Sequence, residues 1–90
     1  MGRETVLFKS EGKKSRSDIA ALLRQAADKI EEGRLTLQQG ESEISLLIPE
    51  TAIFEMKVEE ESKRQVKRSL EFEIEWLEGE EQGGGNLSIS

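Results

Sequence analysis

From Leu70 to Trp76 the chain alternates apolar and acidic residues without a break: Leu70, Phe72, Ile74 and Trp76 against Glu71, Glu73 and Glu75. Wound into a helix, these side chains would scatter around the axis. In a β-strand successive side chains point to opposite faces, so the pattern becomes one greasy face and one carboxylate face. A strand of that kind belongs to a sheet with one face covered and the other in water. The segment therefore constrains the architecture and leaves the activity open.

Thr5 to Ser10 alternates more weakly and predicts a first strand, closed by Gly12, Lys13 and Lys14. Ser15 stands three residues before Asp18, and Ser17 directly precedes an apolar-periodic run, so either serine can cap a helix. Ile19, Leu22, Leu23, Ala26 and Ile30 recur at helical spacing, with Arg24, Gln25, Asp28 and Lys29 on the other side. Gly33 is placed to end that helix, predicted from Ser17 to Glu32.

Four short strands should follow: Leu35–Gln38, Ile44–Ile48, Ala52–Glu59 and Leu70–Trp76. Gln39-Gly40-Glu41 turns the chain between the first two, and Pro49-Glu50-Thr51 ends the second, since proline cannot donate to a ladder. A charged loop from Glu60 to Lys67 leads into the last strand. Short connections between alternating runs imply hairpins. The expected fold is α+β, an antiparallel five-stranded sheet with one helix packed on one face, in the order β-α-β-β-β-β. The first strand has two candidate neighbours, the second or the fifth; pairing with the fifth gives the order 2-3-4-5-1. In this reading the row from Leu70 to Trp76 packs beneath the helix.

Ninety residues fit one domain, near the lower size at which a single core suffices. Residues 1–77 form the expected domain, and 78–90 an acidic, Gly-rich flexible tail. The net charge is −6, from 19 acidic and 13 basic residues; Glu78, Glu80 and Glu81 supply half of it, leaving the domain at −3. Cysteine, histidine and tyrosine are all absent. That removes disulfides, thiolate metal sites, the commonest general base and a frequent general acid. The start lacks a signal-like apolar run, and the apolar stretches are too short to span a bilayer, so a cytoplasmic protein without membrane contact is expected.

Three segments in order, Arg3-Glu4-Thr5-Val6-Leu7-Phe8-Lys9-Ser10, Ile30-Glu31-Glu32-Gly33 and Leu70-Glu71-Phe72-Glu73-Ile74-Glu75-Trp76, together resemble the amphi-Trp domain. This small prokaryotic domain is named for its amphipathic, tryptophan-bearing strand. The resemblance spans residues 3–77. It implies those domain boundaries and a bacterial or archaeal cytosolic origin, and it supplies no mechanism.

Two constellations attract a chemical reading. Glu71, Glu73 and Glu75, with Glu55 and Glu59 on the preceding strand, predict an acidic outer face in which Lys57 offsets repulsion across strands. Such a face solvates the sheet and discourages aggregation; with no calcium-loop spacing, neither a metal nor another cofactor is expected. The second constellation is basic. If strands alternate in direction, Lys13, Lys14 and Arg16 at the helix N-terminus share an end of the fold with Lys63, Arg64, Lys67 and Arg68. These seven cations form a candidate anion-binding pole, opposed by Glu11, Glu59, Glu60 and Glu61. Gly12-Lys13-Lys14-Ser15 is no P-loop, because Leu7 stands where the leading glycine belongs and Lys14 interrupts the Gly-Lys-Ser sequence.

With no nucleophile–base pair in sight, the sequence points away from an enzyme. The expectation is an interaction module, monomeric or weakly dimeric, binding a protein partner through an exposed sheet edge or the acidic face. The alternative is an anion or nucleic-acid binder using the basic pole.

Overall fold

The computed structural model describes residues 2–78. The tail expected from 78 onward falls, after Glu78, outside the described residues. The chain divides at Pro49 into two compact units, Met1–Ile48 and Pro49–Ser90.

The first unit is built on helix α1, Arg16–Glu32. Ser15 is its N-cap: with extended backbone geometry, its Oγ accepts a hydrogen bond from the Asp18 N–H at 3.0 Å. That bond satisfies one of the donors a first turn leaves open, and the Asp18 carboxylate adds favourable charge there. The helix ends where expected, at Gly33, whose φ of 92° lies in the left-handed region. The Gly33 N–H donates to the carbonyls of Ile30 and Lys29, and the Gly33 carbonyl accepts from the Ile48 N–H at 2.8 Å. One residue thus closes the helix and ties it to the hairpin that follows.

That hairpin is β1, Arg34–Gln39, paired antiparallel with β2, Ser42–Leu47. Its two-residue turn places Gly40 at φ 59°, where a tight hairpin turn calls for glycine. Leu35 opposes Leu46 and Leu37 opposes Ile44. These four share one face, and all are half-buried. The helix lies against β1, with Leu22 and Ala26 bordering the same hollow as Leu35 and Leu37. On the opposite face the Thr36 and Ser45 hydroxyls hydrogen-bond across the strands at 2.8 Å.

The second unit is one long hairpin, β3 (Ile53–Ser62) paired antiparallel with β4 (Val66–Glu75). A three-residue turn joins them, closed by the Lys63 N–H donating to the Gln65 carbonyl.

Four expectations are corrected. Thr5–Ser10 is not a strand: residues 2–15 carry no regular structure, and Val6 and Leu7 are exposed. A strand is a property of a pair, and alternation cannot supply the neighbouring edge whose N–H and C=O groups complete it. The five-stranded sheet is likewise replaced by two separate two-stranded antiparallel sheets, so the order 2-3-4-5-1 does not arise. The interruption falls at Pro49, which lacks an N–H, and residues 48–52 form no ladder. The α+β class and the single helix stand.

The hairpin is also longer than its apolar residues indicate, because the loop expected over Glu60–Lys67 is mostly strand. Finally, the row beginning at Leu70 is not a buried one. Leu70 and Phe72 are exposed, Ile74 and Trp76 half-buried, and no described side chain is fully buried.

Candidate functional site

The strongest concentration of charge is the outer face of the β3–β4 hairpin. Antiparallel register puts Glu55 opposite Glu73, Lys57 opposite Glu71, Glu59 opposite Ser69 and Glu61 opposite Lys67, with Glu75 opposite Ile53. Six carboxylates therefore share a face with two ammonium groups, Lys57 and Lys67, leaving that face at −4.

Lys57 sits in the middle of this row. Its Nζ lies 3.7 Å from Glu59 Oε2 and 3.7 Å from Glu71 Oε1, one along its own strand and one across. The Glu59 charge, followed by that of Glu71, raises the Lys57 pKa above the ordinary lysine value. One turn of the pleat away, Glu55 and Glu73 face each other without a cation between them. Hydrogen bonding to Glu55, which favours the protonated form, and then the Glu75 charge raise the Glu73 pKa above the ordinary carboxyl value. The face thus combines a salt-bridged centre with a facing pair of acids. Among the described residues the acids do not form a group of three or more placed to hold a metal ion. Chemically the face offers a broad array of acceptors to a cationic partner.

Alternation predicts Glu55, Lys57, Glu59, Glu71, Glu73 and Glu75 on this face, and its register brings them together. Glu61 and Lys67 also lie on this face, in strand where the sequence predicts a loop. The available signal was charge: Glu61 opposes Lys67 and Glu60 opposes Arg68, two opposite-sign pairs in continuous antiparallel register.

The basic candidates are distributed differently. Lys13 and Lys14 precede the cap, and Arg16 opens α1, all three exposed in the first unit. Lys63, Arg64, Lys67 and Arg68 belong to the second unit. Lys63, Arg64 and Lys67 line an open hollow beside the turn together with Glu61 and Gln65. Alternation sends Lys67 and Arg68 to opposite faces of β4. Arg68 Nε donates to Glu60 Oε1 at 2.8 Å, and Lys63 Nζ lies 3.5 Å from Glu61 Oε2. Two of these four cations are therefore engaged by neighbouring carboxylates.

Trp76 follows β4, half-buried, and its indole N–H donates to Glu78 Oε1 at 3.3 Å. No described helix is long and apolar enough to cross a membrane.

The family model of the Amphi-Trp domain matches residues 1–90, the whole chain. No curated protein and no solved structure matches it.

Proposed function

The chain belongs to the Amphi-Trp domain family, and we propose that it is a non-enzymatic interaction module of the prokaryotic cytoplasm. Its partner is a protein with a basic surface, docked on the acidic outer face of the β3–β4 hairpin. The single observation that carries this reading is the −4 face itself, with six carboxylates held at sheet spacing by one register. A flat array of acids on paired strands presents acceptors at fixed intervals, so Lys and Arg side chains of a partner meet several at once. The free edges of the hairpin extend the same surface with unpaired backbone groups.

Reversing Glu71, Glu73 and Glu75 together to lysine tests the assignment. Pull-down from a prokaryotic lysate should capture basic proteins with the parent chain and lose them with the reversed one, and raised salt should weaken capture by the parent. Equal capture by both forms removes the acidic face from consideration. A short oligonucleotide that shifts only the amide signals of Lys13–Ser17 and Lys63–Arg68 would replace this reading with anion binding by the basic residues.

A further inference from the structure

The opposite face of the same hairpin poses a separate problem. Phe54, Met56 and Val58 on β3 stand opposite Ile74, Phe72 and Leu70 on β4, giving three consecutive apolar pairs. The Phe54 and Phe72 rings stack diagonally across the strands, centroids 6.1 Å apart and planes 17° apart. Yet Phe54 is 57% exposed, Met56 60%, Val58 69%, Leu70 60% and Phe72 47%. A two-stranded hairpin with one bare apolar face is marginal in water; it needs further strands or a second layer.

We infer that a second copy of this chain supplies that layer, the two hairpins stacking apolar face to apolar face as a two-layer sandwich. Charge selects this mode of association. The outer face carries −4 and repels its own copy. On the apolar face the only ionised residues among the paired positions are Glu60 and Arg68, which bond to each other and leave it neutral. In a chain of net charge −6, this is the hairpin surface on which two copies approach without like-charge repulsion.

The area is also adequate. At the stated exposures, the five side chains leave on the order of 500 Å² bare per copy, taking about 150–200 Å² for each when fully open. Two copies then bury on the order of 1,000 Å², the size at which specific interfaces begin. Stacked sheets sit about 10 Å apart, which allows one layer of interdigitated side chains from each. In a pair related by a twofold axis lying between the sheets and running across the strands through the Met56–Phe72 pair, Met56 and Phe72 meet their own counterparts. Both acidic faces point outward, which makes this inference independent of the proposed use of that face.

Sedimentation equilibrium of the parent chain at micromolar concentration should give twice the 10.1 kDa of one chain. Because the sequence has no cysteine, single substitutions then report which face is inside. Under mild oxidation Met56→Cys should form an interchain disulfide, and Glu73→Cys, on the outer face, should not. A parent chain that sediments as a monomer overturns the inference, since the apolar face is then covered in some other way. A species larger than two chains also overturns it, as does cross-linking of Glu73→Cys in preference to Met56→Cys. The parent's mass needs no variant, so misfolding of either substitution leaves the inference open to refutation.

Discussion

Gly33→Ala isolates the residue that joins the helix to the first hairpin. At φ 92° an L-residue brings its Cβ against the neighbouring carbonyl, which costs about 1–2 kcal/mol. The added methyl meets no other obstacle, because its nearest neighbour is the Ile48 carbonyl oxygen at 3.8 Å, an ordinary contact. Restricting the unfolded chain returns about 0.4–1 kcal/mol, so the net loss is about 1 kcal/mol. For a domain of this size that lowers the melting temperature by about 4–8 °C.

The strain can be relieved only by moving φ out of the left-handed region. That rotation disturbs the Gly33 N–H bonds to Ile30 and Lys29 and the Ile48 bond to the Gly33 carbonyl, so the helix end and the β2 end should loosen together. Thermal melting followed by far-UV circular dichroism measures the loss, and amide exchange at Ile48 locates it. Gly33→Asn should lose less, since asparagine tolerates the left-handed region better. Gly12→Ala, where the added methyl meets nothing within 4 Å, serves as the control. Equal melting of Gly33→Ala and Gly12→Ala would refute the reasoning.

Ser15→Ala removes the side-chain acceptor for the Asp18 N–H and should cost about 1 kcal/mol by thermal melting; Ser17→Ala, inside the first turn, should change far less. Glu55→Ala should bring the Glu73 pKa down toward the ordinary carboxyl value by removing the largest cause of its elevation, as read by carbon-detected titration of the side chain; an unmoved Glu73 would assign the shift to Glu75. Because the Glu73 pKa is raised on folding, its contribution to hairpin stability is greatest below the ordinary carboxyl value and is lost as pH rises through the raised one. Amide protection across β3 and β4, corrected for the intrinsic exchange rate, should therefore increase on mild acidification, and Glu55→Ala should flatten that trend. The raised Lys57 pKa places its contribution at the alkaline end, complete below the ordinary lysine value and lost as pH rises through the folded one. Lys57→Met should abolish that alkaline loss in denaturant titrations.

The parts of this fold legible in the sequence are those decided over a few residues. Ser15, the apolar stripe from Ile19 to Ile30 and Gly33 specify a helix because a cap, a period and a left-handed stop act within one or two turns. The facing of Phe54, Met56, Leu70 and Phe72 was legible for the same reason, since alternation alone decides which side chains share a face. What covers a face is decided elsewhere in space, and alternation carries no information about it. Thr5–Ser10 has strand periodicity without a ladder partner, and Pro49 separates runs that periodicity alone would join into one sheet.

The candidate site divides along the same line. Alternation assigns Glu71, Glu73 and Glu75 to one face, but only register shows that Lys57 meets Glu71 whereas Glu55 is left opposite Glu73 with no cation between them. Register also recovers Glu61 and Lys67, because opposite charges extend a hairpin beyond its last apolar pair. A sequence with balanced sheet faces would leave the mode of association undetermined. Here one face of β3–β4 is neutral and apolar and the other carries −4, so the same alternation that fails to name the covering layer still restricts it. Whatever lies on the apolar face must bury hydrocarbon without bringing unpaired charge, and whatever lies on the outer face must bring positive charge. A single partner surface would have to be apolar to satisfy the first and cationic to satisfy the second, so no one surface suits both faces.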